Sequence, residues 1–214
     1  MTESTLAPKG WSSRGYLPHF DGGPIPQTLT FRLANTLPPD VLDRWRRNLP
    51  LLSPVERQKV IRHLAEAELD RCRDGPLAVP ATVRAVQASL LLFDGARYRL
   101  HAWVIMPSHV HVLLTPLPGF GVGDMLRSWK SYTARRANAA QHRAGRFWQP
   151  DYFDRFIRNE RHFRVARRYI ERNPVAAGLC GAAEDWPWSS AGWRKRAAAG
   201  EVESGEAGLE ARAP

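Results

Sequence analysis

The segment His101-Ala-Trp-Val-Ile-Met-Pro-Ser-His109-Val-His111-Val-Leu-Leu-Thr115 constrains this chain more than any other. It predicts two short strands meeting at a tight Met106-Pro107-Ser108 turn, with a histidine pair opening the second strand. Side chains alternate faces along a strand, so His109 and His111 share one face. Val110, Val112 and Leu114 take the other and can be buried. Two imidazoles one pleat apart on a rigid strand make a natural metal chelate. The same pattern also fits two partly exposed histidines on a half-buried strand, and the motif alone does not decide.

At 214 residues the chain suits one domain with tails, long enough to bury a core. It carries 31 Lys and Arg against 21 Asp and Glu, a formal charge of +10. Most of the cations are Arg, whose planar fork suits phosphate. A charge balance of this kind points to nucleic acid first and an anionic membrane surface second. No apolar run approaches the ~20 residues of a membrane span. Met1-Thr-Glu-Ser-Thr-Leu-Ala-Pro-Lys9 has no hydrophobic signal region, so the expectation is a cytoplasmic protein that in a bacterium shares space with the chromosome. Cys72 and Cys180 suggest neither a disulfide framework nor a zinc knuckle.

Along the chain, Pro- and Gly-rich residues 1–27 lead to a strand at Gln27–Leu33. Ser53-Pro54-Val55-Glu56 is a capping box that opens a helix to about Cys72, with a shorter helix expected before it from Asp40. Pro80 starts another helix towards Phe93, and Asp94-Gly95 turns into the strand ending at Met106. The Gly-rich loop 118–123 lacks the Gly-Lys-Ser/Thr ending of a phosphate-binding loop, which argues against a nucleotide cofactor. Asp124 is expected to cap a basic helix carrying Arg127, Lys130, Arg135 and Arg136, and a further strand is expected around Phe153–Ile157. This order predicts an α+β fold, an antiparallel sheet packed by helices.

Glu160 to Asn173 reads as a helix whose Phe163, Ala166 and Ile170 form an apolar stripe. Arginines spread over the opposite side, and Val165, Tyr169 and Asn173 stack at the edge. Pro174 is expected to end the helix at about Asn173. Considered without the histidines, Tyr169 and Asn173 read first as a packing residue and a C-terminal cap.

Taken together, Trp103-Val-Ile-Met-Pro-Ser-His-Val-His-Val-Leu-Leu, Phe147-Trp-Gln-Pro-Asp-Tyr-Phe-Asp, Arg168-Tyr-Ile-Glu-Arg-Asn-Pro-Val-Ala-Ala-Gly-Leu and Trp186-Pro-Trp-Ser-Ser resemble the REP-associated tyrosine transposases. These belong to the insertion-sequence-200-like superfamily of HUH single-strand endonucleases. The resemblance implies a ferredoxin-like HUH fold. It also implies a divalent cation, Mg²⁺ or Mn²⁺, held by His109, His111 and Asn173. Tyr169 is the implied nucleophile, forming a 5′-phosphotyrosine on single-stranded DNA beside a palindromic hairpin. Arg14, Tyr16 and His19 are the residues it implies for reading DNA. From the residues themselves, Arg127, Lys130, Arg135 and Arg136 on the basic helix are candidate phosphate contacts, with a solvated helix face as the alternative reading. The resemblance runs from about Gly15 to Ser190, so the expected organisation is a flexible arm at 1–14 and a catalytic domain at 15–193, acting as monomer or homodimer. Residues 194–214, rich in Ala, Gly and Glu, have no counterpart in it and are expected to be a disordered tail on composition alone.

Tyr152 is the rival nucleophile, although its neighbourhood alternates like a strand. Trp148, Trp186, Trp188 and Trp193 are either core residues or platforms for unpaired bases. A histidine-triad hydrolase is disfavoured, because Leu113 stands where a third alternating histidine is needed. The remaining alternative is a reader of DNA or RNA hairpins without cleavage activity.

Overall fold

The Met106-Pro107-Ser108 turn closes with the Met106 N–H donating to the His109 carbonyl at 2.8 Å, and it sets two long strands side by side. The structure, a computed structural model, describes residues 10–13, 18–37, 43, 44, 47 and 54–201. A hairpin of β1 (Gly10–Ser13) and β2 (Pro18–Asp21) comes first. The main sheet contains β3 (Gln27–Arg32), β4 (Tyr98–Ile105), β5 (His109–Pro116) and β6 (Phe153–Phe156), all antiparallel in the order β4-β5-β3-β6. The longer helices that accompany it are α1 (Pro54–Asp70), α2 (Pro80–Leu91), α3 (Val122–Ala140), α4 (Glu160–Ala176) and α5 (Ser190–Ala198).

The two-residue period of β5 divides the core. Val110, Val112 and Leu114 pack with Leu29, Phe31, Trp103 and Ile105 against Val86 and Leu90 of α2 and Leu126 and Trp129 of α3. On the opposite face Leu113, Ala102, Val104 and Met106 meet Ala166 and Ile170 of α4. β5 lies inside the sheet with Thr30 and Val104 flanking His111 in register. The histidine pair is therefore held by two neighbouring strands. The fold is the expected α+β one, a mixed structure of helices on an antiparallel sheet.

Several boundaries differ from expectation for identifiable reasons. Gly121, not Asp124, precedes the first turn of α3, and Asp124 sits inside that turn bonded to Arg127 at 2.7 Å. α4 does not stop at Asn173 but runs through Pro174 to Ala176. Pro174 lacks the N–H for one intrahelical bond, a small loss this close to a helix end. Ala177 and Leu179 then bond back to the carbonyls of Asn173 and Pro174 at 2.9 and 2.8 Å. Strand β1 lies in the stretch read as an arm. α5, capped at its start by Ser189, which accepts from the Gly192 N–H at 3.0 Å, runs past residue 193 to Ala198. The expected cap Ser53 and most of the short helix after Asp40 lie outside the described residues.

Gly75 shows how closely the histidine turn is packed. A Cβ there would lie 2.5 Å from the Pro107 carbonyl oxygen, whereas one on Gly123 in α3 would meet nothing within 4 Å. Gly75→Ala should therefore lower unfolding free energy by about 1–3 kcal/mol. Gly123→Ala should raise it by roughly 0.5–1 kcal/mol. Urea denaturation of both variants checks the pair of signs.

Candidate metal and nucleophile site

His109 and His111 are buried, at 0% and 2% exposure, and their Nε2 atoms face each other at 2.9 Å. Ser108 Oγ–H donates to the Leu69 carbonyl at 3.0 Å, so its oxygen is left to accept from His109 Nδ1–H, also at 3.0 Å. That bond keeps the proton on Nδ1 and leaves Nε2 with a bare lone pair. His111 Nδ1 meets the Thr30 hydroxyl at 2.8 Å. A hydroxyl can donate or accept, so His111 can present Nε2 either as a donor to His109 or as a second bare nitrogen. Burial, with His109 beside it, pushes His111 well below the usual imidazole range and keeps it neutral.

Asp70, the last residue of α1, completes the group. Its Oδ1 lies 3.3 Å from His109 Nε2 but is buried without a hydrogen bond. Among the described residues, Asp70, His109 and His111 each bring one ligand atom within 4.8 Å of the others. A carboxylate at a helix C-terminus is opposed by the helix dipole. Two bare nitrogens and an orphaned carboxylate oxygen repel one another unless a cation lies among them. Two ligand atoms at right angles and about 2.1 Å from one ion sit roughly 3 Å apart, close to the spacing of the histidine nitrogens. The donor set fits a divalent cation.

Asn173 of α4 is 2% exposed, and neither amide atom has a hydrogen-bond partner. One turn earlier Tyr169 is 45% exposed, with its ring centroid 5.7 Å from that of His111. Tyr169 and His111 line one cleft of about 320 Å³ with Thr30, His63, Glu66 and His162. The structure thus brings the histidine strand and the tyrosine helix to one opening.

The other expected site residues distribute differently. Arg14 and Tyr16 lie outside the described residues. His19 is no exposed reader: it is buried, with Nδ1 on Asp154 and Nε2 on Asp151, both at 2.8 Å. Tyr152 stacks on it at 4.0 Å and packs against the core. Burial opposes the charge of His19, but the bonds and fields of Asp151 and Asp154 outweigh it and raise the pKa to about 9. Lys130 does not stand free for phosphate. Its Nζ donates to the carbonyls of Gln149, Pro150 and Asp151 at 2.9–3.1 Å, and burial pulls its pKa down to about 8. Arg127, Arg135 and Arg136 are exposed on α3, Arg127 paired with Asp124. Trp148 is core, its indole N–H on Thr133 at 2.8 Å, and Trp186 is bonded to the Ile105 carbonyl at 3.0 Å.

A buried histidine pair on a central strand, opening with a helical tyrosine onto one cleft, defines an HUH-type arrangement. Comparison with known proteins agrees. Residues 90–173 match the family described as Transposase IS200 like. The chain is 32% identical over 93 residues to the REP-associated tyrosine transposase of Escherichia coli (strain K12), covering 44% of this chain and 54% of that one. It thus spans about half the length of that curated relative. Its fold is similar to that of a REP-associated tyrosine transposase solved bound to a REP hairpin. That likeness has a TM-score of 0.52 and 19% identity over 90% of this chain and 87% of that one. The resemblance to REP-associated tyrosine transposases therefore holds in sequence and in fold. His109, His111, Tyr169 and Asn173 fall inside the matched 90–173 segment, and Asp70 falls outside it. Among the described residues, no helix is long and apolar enough to cross a membrane.

Two measurements follow. Manganese at 100 times its dissociation constant should stabilise the protein by about 2.7 kcal/mol, visible as a higher melting temperature. Asp70→Ala and His111→Ala should abolish that increment, and Asn173→Ala should reduce it less, because water replaces a neutral amide. An unchanged increment in Asp70→Ala would exclude that carboxylate.

The second concerns His19. A raised folded-state pKa gives stability fully present below pH 6.5 and lost as pH rises through 9. Lys130 acts oppositely only above pH 8, and the depressed His111, His101 and His162 act only below 6.5. Between pH 6.5 and 8 the urea stability should therefore fall, by about 1 kcal/mol after solvent screening. His19→Gln should make that interval flat.

Proposed function

We propose that this protein is a metal-dependent single-stranded DNA endonuclease and strand transferase that cleaves and rejoins DNA beside hairpin-forming, REP-like palindromes. The observation that carries this reading is the shared cleft, in which the half-exposed Tyr169 hydroxyl-bearing ring meets buried His111. The solved relative bound to a REP hairpin and the net charge of +10 support a DNA hairpin as partner.

His109, His111 and Asp70 would hold the cation, with Asn173 as a further oxygen donor from α4. Bound there, Mg²⁺ or Mn²⁺ supplies Lewis-acid polarisation of a phosphate oxygen. Tyr169 gives up its phenolic proton and its oxygen attacks the phosphorus. A Tyr–O–P bond forms and the P–O3′ bond breaks, leaving a 5′-phosphotyrosine and a free 3′-hydroxyl that takes up a proton. Attack by another 3′-hydroxyl reverses the exchange and joins new ends. One phosphodiester replaces another, so no nucleotide cofactor is required. Rigid placement on β5 and α4 supplies the orientation that such an exchange needs.

The alternative is a hairpin reader without cleavage, and one gel separates the two. With a labelled hairpin oligonucleotide and Mg²⁺, the wild type should give a covalent adduct and a free 3′ end. Tyr169→Phe should keep DNA affinity within about twofold and give neither product, a loss of 10³-fold or more. Tyr152→Phe should retain both, since that ring packs on His19. An adduct mapped to Tyr152, or undiminished cleavage by Tyr169→Phe, overturns the assignment. Binding without any product in the wild type selects the reader.

A further inference from the structure

The charges on α4 are segregated around Tyr169. With about 100° per residue, Val165, Arg172, Arg161 and Arg168 follow Tyr169 within roughly a quarter turn on the side away from Asn173. The glutamates lie on the far side. Glu160 pairs with Arg164 at 3.2 Å, and Glu171 holds Arg167 at 3.3 Å and Arg194 at 2.8 Å. Arg161, Arg168 and Arg172 are exposed and make no ion pair among the described residues. Between them Val165 is 60% exposed, and Val165 and Tyr169 are two of only three large hydrophobics exposed among the described residues.

A solvated amphipathic helix would have its acids interspersed with its bases at i, i+4 spacing. Here the acids neutralise only the edge remote from the tyrosine. The three guanidiniums without an ion pair and the exposed apolar side chain form a strip that meets the cleft at Val165, while Arg168 and Arg172 also border a neighbouring groove with Glu171 and Glu184. Its charge complements a polyanion, and its apolar centre complements an unpaired base rather than a duplex backbone. Arg168 and Arg172 are separated by about 6 Å along the axis, and Arg161 extends the strip to about 16 Å.

We infer that Arg161, Val165, Arg168 and Arg172 form the track that carries single-stranded DNA to Tyr169. The arginines bind consecutive phosphates and Val165 lies against a base. This rests on the single-strand reading above and adds to it the surface along which the strand runs. The α3 arginines, on the helix packed against the opposite face of the sheet, are then left to any hairpin contact.

The test compares two charge-matched triple variants of the full chain, Arg161→Ala/Arg168→Ala/Arg172→Ala and Arg164→Ala/Arg167→Ala/Arg194→Ala. Each removes three positive charges from exposed positions. Affinity for a fluorescent oligothymidylate without a hairpin is measured by anisotropy over a salt series, with circular dichroism as the folding check. The track triple should weaken binding at least tenfold near 0.1 M salt and flatten the log–log salt slope by about 2, roughly 0.7 for each lost contact. The control triple should change affinity less than twofold. Equal loss in both triples shows general charge attraction and overturns the track, as does no loss in either. A wild type that forms the Tyr169 adduct on a hairpin but tolerates the track triple overturns the track alone. A wild type with no affinity for the single strand overturns both the track and the reading it rests on. Val165→Asp, which keeps every arginine, should weaken binding severalfold, and wild-type affinity in this variant removes the base contact from the proposal.

Discussion

Two imidazole nitrogens 2.9 Å apart in a buried strand are the constraint around which the rest of this site is arranged. The His111 ring cannot be left charged there, because burial disfavours its imidazolium. Neither nitrogen can be left bare against the other without repulsion. One solution is a shared proton, with Thr30 donating to His111 Nδ1. The other is a cation, with Thr30 accepting instead. Thr30 permits the switch because a hydroxyl has both roles, whereas Ser108 is committed by its bond to the Leu69 carbonyl. The strand therefore presents one fixed ligand and one adaptable ligand.

The same bond explains why α1 matters to a site it does not dominate. Ser108 Oγ bonds to the backbone of Leu69, and the next residue is Asp70. A single hydrogen bond thus fixes the His109 tautomer and holds the end of α1 beside it. Leu69 is itself buried with Ala65 and Leu37, so the anchor is apolar packing on one side and a hydroxyl on the other. Gly75 then lets the chain leaving α1 pass against Pro107 without a side chain between them. The turn, the helix end and the histidines are one packed unit.

What the sequence made legible follows from periodicity. The period of two along β5 puts His109 and His111 opposite Val110 and Val112, and the period of 3.6 along α4 puts Tyr169 at the edge of the Ala166–Ile170 stripe. Asp70 was not legible. Its only local signal is an acidic residue at a helix C-terminus, against the dipole, and its role depends on where the 108 turn packs. The burial of His19 is hidden for a related reason. Its partners Asp151 and Asp154 are 132 and 135 residues away, so nothing nearby marks it as internal. Lys130 in the middle of a basic helix likewise gives no sign that three carbonyls of one loop take its ammonium. Long-range polar pairing leaves no period in a sequence.

His19 and Lys130 share a task that bears on the site. Asp154 receives His19 on one oxygen and the Phe20 N–H on the other, which clamps the β1–β2 hairpin to β6. Lys130 holds residues 149–151, the loop that supplies Asp151 to the same histidine. Phe153 and Arg155, on the strand this loop feeds, line the cleft with Tyr169. The far wall of the cleft is therefore fixed by buried charge, and the near wall by apolar packing of α4 on the sheet. Buried ion pairs confer little net stability when weighed against their desolvation. Their use here is geometric: they fix the edge strand β6, which has only one neighbour in the sheet, at the side of the cleft where that neighbour is missing.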